Sequence, residues 1–146
     1  MLFDSNVWVA LSFQSHPARR VAVAQLDRVG DRSALFCRAT EQSFLRLMTT
    51  PALIRVYGAQ GMTNALAIET LLELQKLPRV GYREEPDGLT PLWHRLATRP
   101  TASPKIWMDA YLAAFAIAGG LSLATFDKDF RSFVGDGLDL LLLEVP

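Results

Sequence analysis

The sequence holds one cysteine, Cys37, and two widely separated histidines, His16 and His94. A single thiol closes no internal disulfide, and these three residues offer no zinc-ligand spacing, so all three are assigned to structure. A reducing compartment, the cytoplasm, suits that composition. Long apolar runs are also missing. The longest uncharged stretch, Ala110 to Phe126, has 17 residues and is broken at Gly119-Gly120, which is too short and too interrupted to cross a membrane. No basic leader precedes an apolar core at the start, where Asp4 already stands, so no signal peptide is expected.

An excess of one charge is the third absence. Fifteen basic residues balance fifteen acidic ones, which by itself argues against a nucleic-acid partner. If four acids are set aside for a metal site, fifteen bases remain against eleven acids, and twelve of the bases are Arg, suited either to phosphate or to plain surface charge. What the chain has in quantity is apolar residues, half of its 146, which excludes disorder and fits one domain spanning residues 1–146.

Hydrophobic periodicity then gives alternating strands and helices. A short strand, Met1 to Asp4, leads into a helix through Val7, Val9 and Leu11. His16 to Gly30 reads as a second helix, with Pro17 at its first position and Gly30 as its stop. Ala34 to Cys37 is a buried strand. Thr40 is placed to cap a helix carrying Phe44, Leu45, Leu47 and Met48, which ends before Pro51. Pro51 to Gly61, including Tyr57-Gly58, reads as an irregular connection. The spacing then predicts a helix from Thr63 to Leu77, a strand over Arg79–Arg83, a helix from Thr90 to Thr98 and a loop from Arg99 to Lys105. Trp107 to Ala118 is apolar almost all round, as a buried helix is, and Asp109 is its only charge. Leu121–Thr125 and Leu138–Leu143 are the last strands. This alternation implies an α/β fold, a mostly parallel sheet with helices on both faces.

Four acids recur at equivalent places in that pattern. Asp4 and Asp127 directly follow apolar strands, Glu41 lies shortly after the second strand, and Asp109 opens the apolar helix. Each alone has a local explanation as a helix cap or first-turn acid. Together they fall at one edge of a parallel sheet, where strand C-termini and helix N-termini meet. Four carboxylates gathered there repel one another, and a divalent cation removes the repulsion. All-oxygen ligands suit Mg2+ or Mn2+, which can activate water for in-line attack on a phosphodiester. The residues therefore point to metal-dependent cleavage of RNA.

Asp4-Ser5-Asn6, the stretch from Phe36 through Arg38-Ala39-Thr40-Glu41 to Phe44-Leu45-Arg46-Leu47 and Thr50-Pro51, Asp109-Ala110-Tyr111-Leu112-Ala113, and Thr125-Phe126-Asp127-Lys128-Asp129-Phe130 together resemble the motifs of PIN-domain ribonucleases. The resemblance is to the VapC-type toxins of bacterial toxin–antitoxin pairs and runs over nearly the whole chain. It implies a three-layer domain with a five-stranded sheet in order 3-2-1-4-5 and Mg2+-dependent endoribonuclease activity. It also implies that Asp4 and Asp109 bind the metal directly, while Glu41 and Asp127 complete the acidic pocket. The expected partners are an RNA substrate, a second copy in a homodimer, and a VapB-type antitoxin. The N-terminal helices and the Thr63 to Leu77 helix either supply a groove for the antitoxin or spend the same apolar residues on the core.

Smaller expectations attach to the neighbours. Ser5, Asn6 and Thr125 either hydrogen-bond the acids or shape turns. Asp129 is an alternative to Asp127. Arg46 contacts RNA phosphate or partner, or is solvated surface charge. Trp107 stacks on a base, or packs at the core or its rim. Two other readings compete with the enzyme. A phosphoacceptor signalling domain would need an acidic pair after the first strand and a lysine in the last, both missing here. A noncatalytic PIN-fold interaction module would have lost one of the four acids, and none is lost.

Overall fold

The computed structural model describes residues 1–57 and 60–146. Five strands, β1 (Leu2–Phe3), β2 (Ala34–Phe36), β3 (Val80–Tyr82), β4 (Ser122–Thr125) and β5 (Asp139–Leu142), form one sheet in order β3-β2-β1-β4-β5. Every pairing is parallel, with Leu2 opposite both Leu35 and Leu123, and Phe3 opposite Ala124. The expected order and layers are therefore present.

Successive side chains of a strand point to opposite faces, so Leu2 and Phe3 enter two different cores. Phe3 joins Val7, Trp8, Phe36, Phe44 and Leu71 beneath helices α1 (Ser5–Ser12), α2 (Arg19–Arg28), α3 (Arg38–Met48) and α5 (Asn64–Gln75). Leu2 joins Leu96, Phe115, Leu123 and Phe130 beneath α6 (Leu89–Ala97), α7 (Ile106–Gly119) and the 3-10 segment Lys128–Asp136. Trp8 ties α1 to the sheet. Its ring stacks on Phe36 at 3.8 Å and 10°, and its Nε1 donates to the Phe3 carbonyl at 3.0 Å. Truncating a fully buried ring of this kind costs about 3–5 kcal/mol.

The alanines of α7 let that helix sit close to the sheet, and Gly120, at φ 62°, terminates it in the left-handed conformation, with the Leu121 N–H returning to the Ala116 carbonyl at 2.8 Å. No helix among the described residues is long and apolar enough to cross a membrane.

Three local expectations need correction. Pro51 both ends α3 and starts a further helix, α4 (Pro51–Tyr57), where irregular chain was expected, because proline suits a first helical position. Gly58, placed in that connection, lies outside the described residues. The second helix begins at Arg19 rather than near Pro17, since the His16 Nδ1 accepts the Ala18 N–H at 3.1 Å and holds a turn there. Thr40 sits inside α3, and its hydroxyl reaches back to the Cys37 N–H at 2.9 Å.

Candidate functional site

Asp4 is carried to the sheet's C-terminal edge by β1, and its own N–H still pairs with the Ala124 carbonyl of β4 at 3.0 Å. The next residue begins α1, so the Asp4 side chain caps that helix, accepting the Ser5 N–H at 2.6 Å. The local explanation and the site explanation thus hold together, because the cap points into the edge where β1 and β4 end. The other carboxylate oxygen of Asp4 accepts the Thr125 hydroxyl at 2.6 Å and the Asn6 amide at 2.9 Å. Burial pushes the Asp4 carboxyl above its ordinary range, and the charge of Asp127 adds to the rise. The bonds from Thr125 and Ser5 oppose it.

Thr125 and Asn6 also organise the turn that follows β4. The Thr125 oxygen accepts the Asp127 N–H at 3.0 Å, and the Asn6 side-chain oxygen accepts the Phe126 N–H at 3.3 Å. Orienting an acid and shaping a turn are both done by Thr125 through one oxygen, and by Asn6 through the two ends of its amide. Asp127 then caps the 3-10 segment by accepting the Asp129 N–H at 2.9 Å, which brings Asp129 alongside it.

Asp109 enters from the opposite element, the first turn of α7. One carboxylate oxygen each from Asp109, Asp127 and Asp129 lie within 4.8 Å of one another. Burial pushes the Asp109 carboxyl up to about 6, Lys105 lowers it, and Asp127, Asp4 and Asp129 raise it further. Asp4 is linked to this cluster through Thr125, whose hydroxyl donates to Asp4 and accepts the Asp127 N–H.

Lys105, which the sequence reading passed over as the end of a loop, inserts its ammonium between Asp127 and Asp129, at 3.3 Å from the first. A cation already neutralises part of this cluster. The donor set is all oxygen, and its repulsion is relieved by positive charge, so the residues fit a divalent metal. Lys105 stands one helical turn before Asp109, the spacing at which opposite charges meet, and that was the signal available in the sequence.

Glu41, like Asp4, is not one of the three acids whose oxygens meet within 4.8 Å. It lies on the buried stripe of α3 with Phe44 and Met48, and its oxygens accept the Gln75 amide of α5 at 2.6 Å and the Arg38 guanidinium at 2.7 Å. It therefore ties α3 to α5 and borders a hollow with Val80, Gly81 and Tyr82. The position of an acid in a first turn fixes the helix end it occupies but leaves its face to the helical period. Arg46 is exposed and flanks a separate hollow formed with Leu45, Thr49 and Ile68, away from the carboxylates. His16 stacks on Tyr57 at 4.7 Å, and Cys37 is buried.

A family pattern described as PIN domain matches residues 1–135. The chain is 41% identical over 145 residues to Ribonuclease VapC41 of Mycobacterium tuberculosis, covering 97% of this chain and 98% of that protein. Among solved structures, VapBC2 from Rickettsia felis bound to a promoter DNA fragment superposes with a TM-score of 0.65 at 13% identity, over 98% of both chains. Mycobacterium tuberculosis VapC20, a sarcin–ricin loop cleaving toxin, gives 0.62 at 14% identity, over 94% of this chain and 95% of that one. VapBC-1 from nontypeable Haemophilus influenzae gives 0.65 at 15% identity, over 97% and 96%. At these identities the solved structures speak for the fold.

Proposed function

Because the chain belongs to the PIN-domain family, and within it to the VapC-type ribonucleases, we propose that it is a divalent-metal-dependent endoribonuclease and the toxin of a toxin–antitoxin pair. The observation that carries this reading is the meeting of Asp109, Asp127 and Asp129 within 4.8 Å, with Asp4 behind them. Asp4 and Asp109 are assigned as direct metal ligands, and Asp127 and Asp129 as the acids that complete the pocket. Glu41, expected in that pocket, is assigned to the packing of α3 against α5.

A bound Mg2+, or Mn2+ with the same ligands, supplies positive charge for the phosphate and acidifies water for in-line attack. The chain's own residues do the rest. Thr125, Ser5 and Asn6 fix both oxygens of Asp4 so that the carboxylate does not rotate away from the site. Asp109 is held toward its protonated form in the metal-free fold by burial and by the neighbouring acids, and a bound cation would relieve that repulsion and keep it ionised. Lys105 holds Asp127 and Asp129 together and is placed to meet a phosphate when a metal takes over those acids.

The whole chain, 1–146, works as one such domain, since β5 lies beyond the matched segment yet pairs with β4 along its length. The partner is a VapB-type antitoxin, supported by the two toxin–antitoxin complexes among the structural relatives. Its surface is the apolar face of α5, where Leu66, Ile68 and Leu72 are each about half exposed. As the family resemblance implies, the protein acts as a homodimer on cytoplasmic RNA.

The test is cleavage of total RNA by the purified protein with Mg2+, with Mn2+ and with a chelator, beside Asp4→Asn. Discrete cuts that both the chelator and the substitution abolish are expected. An inert wild type, freed of any bound partner, refutes the reading.

A further inference from the structure

The ribonuclease reading leaves unused the largest cleft among those described. It is a cavity of about 600 Å3 between the start of α3, the chain after β3, and helices α6 and α7. Five aromatic rings line it, from Tyr82, Trp93, Trp107, Tyr111 and Phe115. We infer that this cleft is a second subsite of the nuclease, which receives an unstacked base of the RNA strand, preferentially guanine, near the phosphate to be cut. The inference rests on the ribonuclease reading of the acid cluster and names how its substrate is recognised.

The cleft opens at the sheet edge that carries the acids. Its residues Pro104, Trp107 and Met108 interleave along the first turn of α7 with Lys105 and Asp109 of the cluster. Cleft and acids therefore lie on two sides of one helix end, which is about 10 Å across. A single strand whose phosphate meets the acids crosses that helix end and reaches the cleft with a neighbouring base. Single-stranded RNA is recognised in this way, by splaying bases onto aromatic side chains and reading their edges.

The walls are fixed before any ligand arrives. The Trp93 Nε1 donates to the Trp107 carbonyl at 2.9 Å, and the Trp93 ring meets Tyr111 edge-on at 5.6 Å and 88°. The Tyr111 hydroxyl donates to Glu85 at 2.7 Å. Trp107 and Met108 nevertheless remain 55% and 42% exposed, so apolar surface is presented on a rigid frame. Little side-chain order is lost when a flat ring covers such a surface.

The polar rim suits a base and its phosphate better than an apolar side chain. Arg38 is held at the mouth by Glu41 at 2.7 Å and lies over the Tyr82 ring at 5.6 Å, offering a guanidinium to a backbone phosphate. Glu84 and Glu85 line the same cleft, and neither has an ion-pair partner among the described residues. Carboxylates accept only, so they favour a base edge made of donors. Guanine presents two adjacent N–H donors to one carboxylate, cytosine and adenine present an amino group, and uracil places carbonyls on both sides of its single N–H.

The test is binding of end-labelled RNA tetranucleotides, differing in one central base, to the full-length protein in chelator, read by fluorescence anisotropy. Wild type is expected to bind the guanine-containing strand most tightly and the uracil-containing strand least. Trp107→Ala should weaken binding by about tenfold to a hundredfold, the loss typical of one stacked base. Glu84→Gln combined with Glu85→Gln should erase the preference for guanine while leaving the uracil strand unchanged. With Mg2+, the mapped cleavage ends should spread from guanine-adjacent sites in wild type to a broader set in Trp107→Ala.

Equal affinity for all four bases, or unchanged binding by Trp107→Ala, overturns the inference. So does a Trp107→Ala protein whose oligomeric state or antitoxin binding is lost while its RNA binding is intact, since the cleft would then belong to a protein partner. The two readings fail separately. RNA bound through Trp107 but never cut removes the ribonuclease and leaves the cleft, whereas RNA cut with no dependence on Trp107 removes the cleft alone.

Discussion

Replacing Asp109 by Asn should stabilise the fold at neutral pH when metal is withheld. The Asp109 carboxyl is raised from 3.8 to about 6, first by burial and then by the neighbouring acids. A raised carboxyl binds its proton more tightly in the folded chain than in the unfolded one. Between about pH 4 and pH 6 the native state thus holds the extra proton, stability falls as pH rises, and above pH 6 the full cost remains. A shift of about two pH units corresponds to roughly 3 kcal/mol at most. Because the group is only half-buried, solvent screening reduces that to about 1–2 kcal/mol. For a chain of this size the melting temperature of Asp109→Asn should exceed wild type by about 3–6 °C at pH 7.5 in chelator, and the two should converge near pH 4. Saturating Mg2+ should reverse the order, adding about 2.7 kcal/mol to wild type at a hundred times the dissociation constant and little to the variant. Thermal unfolding at the two pH values, with chelator and with Mg2+, measures all of this. A variant less stable than wild type at pH 7.5 in chelator would refute the reasoning, because it would mean that Asp109 makes net favourable contacts in the metal-free fold.

Thr125→Val removes the hydroxyl that donates to Asp4 while keeping its shape, so cleavage should fall by about tenfold to a hundredfold and Thr125→Ser should restore it. Initial rates of the two variants decide this, and a fully active Thr125→Val would mean that Asp4 needs no such support. Lys105→Met withdraws the ammonium that occupies Asp127 and Asp129, and Mg2+ affinity by calorimetry should tighten about twofold to fivefold. Ile68→Glu with Leu72→Glu places charge on the exposed face of α5, and the protein should keep its ribonuclease activity while escaping inhibition by its antitoxin. Inhibition of that double variant at wild-type antitoxin concentrations would move the partner surface elsewhere.

Much of the architecture was legible because it rests on local, repeating signals. Leu2-Phe3 before Asp4, Ala34 to Phe36, and Leu121 to Thr125 before Asp127 are short apolar runs that end in polar residues. Alternation of such runs with helical periodicity leaves few topologies other than a parallel sheet. The positions of Asp4, Asp109 and Asp127 at one edge followed from that alone. Glu41 shows where such reasoning stops. Its place after β2 fixed the right end of α3, but a helix turns 100° per residue, and Glu41 falls on the buried stripe of Phe44 and Met48, where Arg38 and Gln75 hold its oxygens. The partner that holds it, Gln75, is 34 residues away and carries no local signal. Lys105 has one local signal, Asp109 four residues on, but the acids it pairs with, Asp127 and Asp129, stand 22 and 24 residues further on and are brought to it only by β4 and the turn after it. Pro51 is a stop signal for α3, yet a proline that ends one helix is equally suited to begin another.

The account as a whole turns on which acids do the cutting, and one side-by-side measurement addresses that directly. Initial cleavage rates of a single RNA would be compared, in saturating Mg2+, for wild type, Asp109→Asn and Glu41→Gln, the last of which can still accept the bond from Gln75. The structure predicts that Asp109→Asn loses more than about a hundredfold, as removal of several kcal/mol of charge stabilisation requires, while Glu41→Gln stays within about threefold of wild type. An active Asp109→Asn would contradict the metal site itself, and a Glu41→Gln protein as inert as Asp109→Asn would place Glu41 among the acids that hold the metal.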